Sequence, residues 1–200
     1  MKIFWFDCET SGVDPVKNGI LTLDYKVEID GEVKASGKIL NNPVGSIIED
    51  GALQVNGLKR EQIATFDLPE VNYKKISGVF NQFVDRYDKA DKFYAGGYNV
   101  GFDVNFLRQL FVDNGDKYFG SYFFFSYIDP SAMIPFLRYL GMYKDFPVRQ
   151  RLCDVAEYFG VLNKDQLHES AADIQMTIDV CQKINEDLLS MEKSHKGGAK

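Results

Sequence analysis

The sequence has few of the residues that build disulfide frameworks or structural zinc sites. Only three of its 200 residues are cysteines, and their spacing matches neither kind of pattern. An odd number of widely separated cysteines argues against a disulfide-stapled fold, so we expect a reducing compartment. Histidine is scarcer still, which leaves few candidates for proton transfer near neutral pH. The cysteines are Cys8, Cys153 and Cys181, and the histidines are His168 and His195.

Positive charge and long apolar runs are also lacking. Lysine and arginine total 23 against 29 acidic residues, which gives a formal net charge of −6. This charge excludes a protein that coats nucleic acid through an overall positive field, but not an enzyme that holds nucleic acid at a metal site. The longest apolar run, near residues 122–128, is too short to span a bilayer. Since the N-terminal segment is strand-like and contains acids, it does not resemble a signal peptide, and we expect a cytoplasmic protein with no membrane partner.

What remains is the composition of an ordinary globular chain. The apolar fraction of 45% and the charged fraction of 26% fit a folded domain with a sizeable core. The length corresponds to one domain, which we assign to residues 1–192. The polar residues 193–200 are predicted to form a disordered tail.

Hydrophobic periodicity predicts an α/β fold with a mixed sheet. An apolar strand comes first, and two alternating segments joined by Asp30-Gly31 then indicate an antiparallel hairpin. The later strands alternate with helices and therefore need crossover connections. The predicted strands are 3–8, 20–29, 33–40, 93–98 and 122–128, and the predicted helices are near 52, at 76–87, 104–112, 131–140, 151–158 and 171–189.

Two acids stand at the end of the first apolar strand. Because strand side chains alternate between faces, Asp7 and Glu9 project from the same face, roughly 7 Å apart along the strand. The residues before them are apolar on both faces, which indicates a buried central strand. Two carboxylates placed together at such a position need a cation, and a divalent metal ion is the usual one. The alternative is a strand that simply reaches solvent there.

A third acid lies where a predicted strand passes into a predicted helix. Asp103 follows the strand at 93–98 and directly precedes the helix at 104–112. Functional sites of α/β folds gather at such strand ends, so Asp103 is a candidate site residue. An aspartate here is also an ordinary helix N-cap, and the residue by itself does not separate the two interpretations.

A fourth acid precedes the last predicted helix. Ser170 and Asp173 have the spacing of a capping box, which is a purely structural explanation for both. The positive end of a helix also keeps an aspartate ionised and able to bind a metal ion. His168 stands just before this helix, whereas His195 lies in the polar tail. If the protein uses a histidine as a base, His168 is the candidate.

In their order along the chain, these residues resemble the DEDDh group of 3′–5′ exonucleases, the superfamily of the proofreading exonucleases and ribonuclease T. Each motif alone is weak, but four acids and one histidine in the family's order make a specific pattern. The resemblance runs from about residue 2 to residue 189. Its motifs are Phe6-Asp7-Cys8-Glu9-Thr10-Ser11-Gly12-Val13, then Tyr98-Asn99-Val100-Gly101-Phe102-Asp103, then His168 to Asp173, with a further likeness at Ala52 to Leu58.

The resemblance implies a ribonuclease H-like fold, with a mixed five-stranded sheet flanked by helices, and hydrolysis of phosphodiester bonds with two divalent metal ions. Asp7, Glu9 and Asp173 would hold one ion, and Asp7 with Asp103 the other, with Mg²⁺ or Mn²⁺ expected for oxygen ligands. His168 would accept the proton of the attacking water. The expected substrate is the 3′ end of DNA, preferably single-stranded. A polymerase or another replication protein is a possible partner, which the sequence does not identify.

The resemblance also places the terminal nucleotide. The backbone of Thr10 and Gly12 would meet the 3′ hydroxyl, and Val13 would press against the last base. Asn99 would fix the second motif or touch substrate. Phe102 is included as a substrate-binding candidate, although a core position suits it better. Val13 is equally consistent with a loop residue that has no role.

Two departures from the family pattern concern positions near the motifs. Ser170 stands where alanine is common, and Asp129-Pro130 replaces a more usual Asp-Thr after the fifth strand. Neither removes a proposed metal ligand or the proposed base. They bear on substrate preference and subgroup more than on activity.

Three rival interpretations remain open at this stage. A 3′–5′ exoribonuclease differs only in contacts to the 2′ hydroxyl, which the sequence does not show. A non-catalytic nucleic-acid-binding module of the same fold is disfavoured because such a module has no need for clustered carboxylates. An integrase or ribonuclease H type of two-metal nuclease, which cuts internally, is disfavoured by the position of His168.

Overall fold

The first strand of the chain lies at the centre of a five-stranded sheet. The computed structural model of the protein describes residues 1–162 and 170–197, with residues 194–197 described through their backbone alone. The strands are β1 (Lys2–Thr10), β2 (Ile20–Ile29), β3 (Glu32–Leu40), β4 (Phe93–Gly96) and β5 (Phe123–Ile128). Their order in space is β3-β2-β1-β4-β5, with antiparallel pairing from β3 to β1 and parallel pairing from β1 to β5. The α/β class and the mixed five-stranded sheet predicted from the sequence are confirmed.

A tight turn joins the two antiparallel strands β2 and β3. Asp30 and Gly31 both have positive φ angles, 52° and 85°. A two-residue turn of this handedness matches the twist of the flanking strands, and aspartate followed by glycine tolerates it best. The hairpin therefore forms where the sequence predicts it.

The helices flank the sheet on both sides. The helix predicted at 76–87 starts earlier and ends earlier, because proline at its first position suits a helix start and the chain turns extended at Val84. The four-residue helix that follows Lys59 was not predicted. In the described residues the helices are α1 (Asp50–Asn56), α2 (Arg60–Ile63), α3 (Pro69–Phe83), α4 (Gly101–Asp113), α5 (Pro130–Tyr139), α6 (Leu152–Tyr158) and α7 (Ser170–Gly197), with a 3-10 helix at Phe119–Ser121.

One face of the sheet and the helices α3 and α4 enclose a core rich in aromatic rings. Phe80 of α3 meets Phe4 of β1 edge to face, with 4.9 Å between the ring centroids, and meets Phe123 of β5 in the same way at 5.1 Å. All three are nearly or fully buried. Edge-to-face pairs add to the stabilisation from apolar burial, so much of the aromatic content serves this core.

The other face of the sheet is covered by α7. Ile3 and Trp5 of β1 form a buried cluster with Ile174 and Ile178 of that helix. A separate apolar cluster joins α7 to α5 and α6. The last helix therefore holds the sheet and the smaller helices together, and its first turn lies over the end of β1.

The final helix extends to Gly197, so it includes part of the segment that was expected to be a disordered tail from residue 193. The division of the chain at residue 192 remains a prediction. Among the described residues, no helix combines the length and the apolar character needed to cross a membrane.

Candidate active site

Asp7 and Glu9 project from the face of β1 that α7 covers. They continue the alternating row of Ile3 and Trp5, which pack against α7. Cys8, between them, points to the opposite face and belongs to the aromatic core. The same strand thus carries apolar residues over most of its length and carboxylates at its C-terminal end, as its sequence predicts.

The pKa of Asp7 is affected by three other acidic residues. Asp7 is partly buried, and the loss of solvation, followed by the nearby charges of Glu9 and Asp173, raises its pKa to about 7. A hydrogen bond from Ser170 acts in the other direction, and Asp24 on the neighbouring strand adds a smaller upward contribution to the pKa. Carboxylates crowded at a desolvated position need a cation to remain ionised near neutral pH. The environment of Asp7 therefore favours a bound cation.

Asp103 reaches the same strand end from α4. Its side chain is 5% exposed, and its Oδ1 accepts a hydrogen bond from the backbone N–H of Cys8 at 3.0 Å. Burial and then the charge of Asp7 raise the pKa of Asp103 well above its usual range. The helix starts at Gly101 with Val100 as its N-cap, so Asp103 belongs to the first turn. Of the two interpretations of Asp103, the N-cap is wrong, because its carboxylate faces β1 instead.

The early start of α4 has a physical cause in another acid, Asp129. Its Oδ1 accepts the backbone N–H of Asn99 at 3.0 Å, and its Oδ2 accepts that of Val100 at 3.1 Å. Oδ1 also accepts the N–H of Ser131 at 2.9 Å and so caps α5. One buried carboxylate therefore satisfies the backbone donors at the starts of two helices, and α4 needs no cap from its own sequence.

Asp173 enters the site from the first turn of α7. Its negative charge contributes to raising the pKa of Asp7. The backbone carbonyl of Asp173 accepts a hydrogen bond from Thr177 Oγ1 at 2.8 Å, which fixes this turn of the helix. Ser170, 5% exposed, hydrogen-bonds the carboxylate of Asp7, so its hydroxyl serves the site directly. The capping-box explanation does not account for that bond.

The loop after β1 is held in place by hydrogen bonds, and Thr10 and Gly12 are both buried in it. Thr10 Oγ1 bonds the carbonyl of Gly12 at 2.7 Å, and the carbonyl of Thr10 accepts from Asn56 Nδ2 at 2.9 Å. A Cβ at Gly12 would lie 2.4 Å from the side chain of Asn18, so only glycine fits there. Val13, next in the chain, is 77% exposed and free of the core.

The remaining candidates differ in position. Asn99 has a φ of 55°, in the left-handed region that asparagine tolerates, and its side chain is exposed beside the start of α4. Phe102 is partly buried and packs on Phe106, with 4.9 Å between the centroids. His168 lies outside the described residues, so its distance from the acids is a matter for experiment.

The geometry thus brings acids from β1, α4 and α7 to one end of the sheet. The sequence model for an exonuclease family, RNase T, matches residues 4–181. The chain belongs to the RNase T exonuclease family. The motifs quoted from the sequence fall within the matched range.

Solved structures share the fold of this RNase T family member. A zinc-bound complex of E. coli exonuclease I with single-stranded DNA superposes with a TM-score of 0.74 at 16% identity, over 93% of this chain and 40% of that one. Another exonuclease I structure gives 0.73 at 16% identity over 92% and 41%, and a complex with a dT13 oligonucleotide gives 0.71 at 17% over 92% and 40%. This identity supports the ribonuclease H-like fold alone. The chain spans about two fifths of the length of those proteins, and no curated protein matches it.

The residues of this family member suit a divalent cation. Within residues 1–162 and 170–193, no three His, Cys, Asp or Glu side chains already form a group that could hold a metal ion. The donor set is nevertheless of the right kind, because carboxylate oxygens are the ligands that Mg²⁺ and Mn²⁺ prefer. Burial and neighbouring acidic charge raise the pKa values of Asp7 and Asp103. A divalent ion would reverse both shifts.

Sequence reasoning about this family member missed three residues near the acids. Asp129 was noted only because Asp129-Pro130 departs from the more usual Asp-Thr of the family, and its bonds to the starts of two helices were not predicted. Ser170 was noted as a departure from alanine and was otherwise assigned to a cap. Asp24 gave no signal, because its place opposite Asp7 depends on the register of β1 with β2.

Proposed function

We propose that this chain is a metal-dependent 3′–5′ exonuclease that removes nucleotides from the 3′ end of single-stranded DNA, with residues 1–192 as its exonuclease domain. The observation that carries the proposal is the convergence of acids from three separate elements on Asp7, whose pKa is raised to about 7 by burial and by its acidic neighbours. Membership of the RNase T exonuclease family supports hydrolysis of nucleic acid. The dT13 complex of the structurally similar exonuclease I supports the choice of DNA.

In this proposal the four acids hold two divalent ions, Mg²⁺ or Mn²⁺. Asp7, Glu9 and Asp173 would bind one, and Asp7 with Asp103 the other. The bound ions would supply Lewis-acid stabilisation of the charge that develops at phosphorus and on the leaving oxygen. Ser170 would keep the Asp7 carboxylate oriented through its hydrogen bond. The Cys8 N–H would do the same for Asp103.

His168 is the proposed general base, which accepts the proton of the attacking water. A base of this kind contributes about 10²–10⁴ to the rate. We expect His168→Ala to lower kcat by that factor while divalent-ion binding is retained. A His168→Ala variant with an undiminished rate, measured on the same oligonucleotide, would rule out this assignment.

The terminal nucleotide would occupy the loop after β1. The backbone of Thr10 and Gly12 would receive the 3′ hydroxyl, an assignment that rests on the family motif in which these residues stand. The exposed Val13 would press against the last base, and the exposed side chain of Asn99 would touch the substrate or fix the second motif. Phe102 would shape the wall from its partly buried position rather than stack freely on a base.

The decisive experiment is a paired digestion of single-stranded DNA and RNA of equal length and sequence, labelled at the 5′ end, with Mn²⁺ and with chelator. The proposal predicts stepwise shortening of the DNA from its 3′ end, abolished by chelator. Faster shortening of the RNA would replace the DNA substrate with RNA. Cleavage of a circular single strand would contradict the exonuclease assignment, and absence of any metal-dependent nucleotide release would leave a binding module.

A further inference from the structure

A row of charged residues crosses three strands beside the proposed active site. In the register of the sheet, Asp7 of β1 lies directly opposite Asp24 of β2, and Asp24 lies directly opposite Lys38 of β3. Residues directly opposite one another in antiparallel strands project from the same face, with Cβ atoms about 4.5–5.5 Å apart. Asp24 and Lys38 therefore extend the acidic face of β1 sideways across the sheet.

Asp24 is an acid in a costly position. It is 7% exposed, and like charges directly opposite each other across a strand pair are destabilising. Its Oδ2 lies 3.0 Å from Nζ of Lys38, whose side chain is half exposed. The Asp24 carboxylate is thus paired with a partly solvated lysine, while its negative charge also acts on Asp7.

The pairing of β2 with its neighbours does not require a carboxylate at this position, because it is made by the backbone. A threonine or asparagine on β2 would keep the sheet pairing without the repulsion. What a buried anion beside Asp7 does supply is additional negative potential where the proposed divalent ions bind, since buried charges are poorly screened. The lysine, farther out, reduces that potential by an amount set by its distance and its exposure.

We propose that Asp24 is a positioning residue of the acid pocket, whose charge tightens divalent-cation binding at Asp7, and that Lys38 limits this effect. The inference rests on the proposed metal-dependent function and deepens it. It adds a fifth acid, outside the four of the motifs, and assigns opposite effects on cation affinity to two residues that form one ion pair. That difference in sign distinguishes an electrostatic role from a merely structural one.

The test is the dissociation constant of Mn²⁺ for the full-length chain, measured calorimetrically at pH 8 without nucleic acid. Because Asp24 lies directly opposite Asp7, we expect Asp24→Asn to weaken binding by about tenfold. Lys38→Met should tighten binding by about threefold, because the lysine is farther away and partly solvated. Lys38→Arg keeps the charge and should leave the affinity unchanged. Lys34→Met, on the same strand but paired with Glu32, is the matched control.

The outcomes separate the alternatives. If Asp24→Asn and Lys38→Met both weaken Mn²⁺ binding, the ion pair supports the fold only and the inference is wrong. Unchanged affinity in both variants overturns it as well. If Asp24→Asn does not fold, as judged by melting without metal, Lys38→Met against Lys38→Arg still decides the sign. Tight binding by the wild type with no effect of the variants refutes this inference alone, whereas no Mn²⁺ binding by the wild type refutes the metal-dependent function too.

Discussion

The two faces of β1 differ in the kind of side chain that they bury. On one face Phe4, Phe6 and Cys8 pack into the buried aromatic core, which stabilises the fold. On the other, the row that begins with Ile3 and Trp5 under α7 changes at Asp7 into carboxylates. The same nine-residue strand therefore contributes stability through one set of positions and chemistry through the alternate set.

This contrast shows how partly buried carboxylates can be placed on a central strand without putting charge into the aromatic core. Carboxylates are placed only on the face where a helix, and not another layer of aromatic rings, closes the sheet. The cost of burying charge is confined to the end of that face, near solvent. Changes on the two faces should consequently affect different measurements, and the following four predictions test that separation from the largest effect to the smallest.

Replacing the central acid should remove activity and spare the fold. We expect Asp7→Ala to lower kcat by about 10⁴ or more, because it takes away the group on which the other acids converge. Thermal melting of the metal-free variant should occur at or above the wild-type temperature, since a desolvated carboxylate has been removed. A variant that melts well below the wild type would show that Asp7 serves the fold instead.

Replacing a ring on the opposite face should do the reverse. Phe4 is fully buried and contacts several other rings, so Phe4→Ala should lower the free energy of unfolding by about 3–5 kcal/mol. The kcat of the folded fraction should stay within about twofold of wild type. Phe125, 94% exposed on β5, is the matched control, and its change to alanine should alter stability by at most about 0.5 kcal/mol. Urea unfolding of the three proteins measures both effects.

The pH dependence of stability should report Asp7 directly. Its pKa is raised to about 7 in the folded chain, against about 3.9 for an unfolded aspartate. The stability from this group is therefore fully present below about pH 4 and is lost as the pH rises through 7. In chelator, the unfolding free energy of the wild type should fall over this range relative to Asp7→Asn, by at most about 4 kcal/mol. Parallel curves for the two proteins would contradict the raised pKa.

The smallest effect is expected for the hydroxyl that bonds Asp7. Ser170→Ala removes a bond to the carboxylate, which should raise the pKa of Asp7 further and cost about 1–2 kcal/mol of stability at pH 8. The acidic limb of the kcat–pH profile should move to higher pH, whereas a purely structural loss would leave its midpoint in place. Ser170→Thr keeps the hydroxyl and should retain the wild-type profile.

Local sequence signals were sufficient for most of the fold. The period-two pattern located β2 at residues 20–29, and Asp30-Gly31 located its turn, because both depend on neighbouring residues only. Helix ends were less certain where the deciding contact is distant. The start of α4 depends on Asp129, about thirty residues farther along the chain, and no local pattern near Asp103 contains that information.

The candidate site divides in the same way. Alternation along β1 was enough to place Asp7 and Glu9 on one face. The expectation that Asp173 and Asp103 join them in one metal site rests on the order of the family motifs, not on any property of the residues themselves. The place of Asp24 opposite Asp7 was not predicted because strand register is a tertiary property. The contact of Ser170 with Asp7 was not predicted because the local sequence of Ser170 is that of a helix cap.

The carboxylate of Asp129 links two parts of the chain that sequence distance keeps apart. Asp129 anchors the start of α4 and also caps α5, the helix after β5. The position of Asp103 on α4 therefore depends on the position of β5 at the edge of the sheet. A one-residue insertion between β5 and α5 would displace this anchor and misalign an acid on a different element. Chimeras that exchange the second motif with a relative should therefore carry the β5–α5 junction with it.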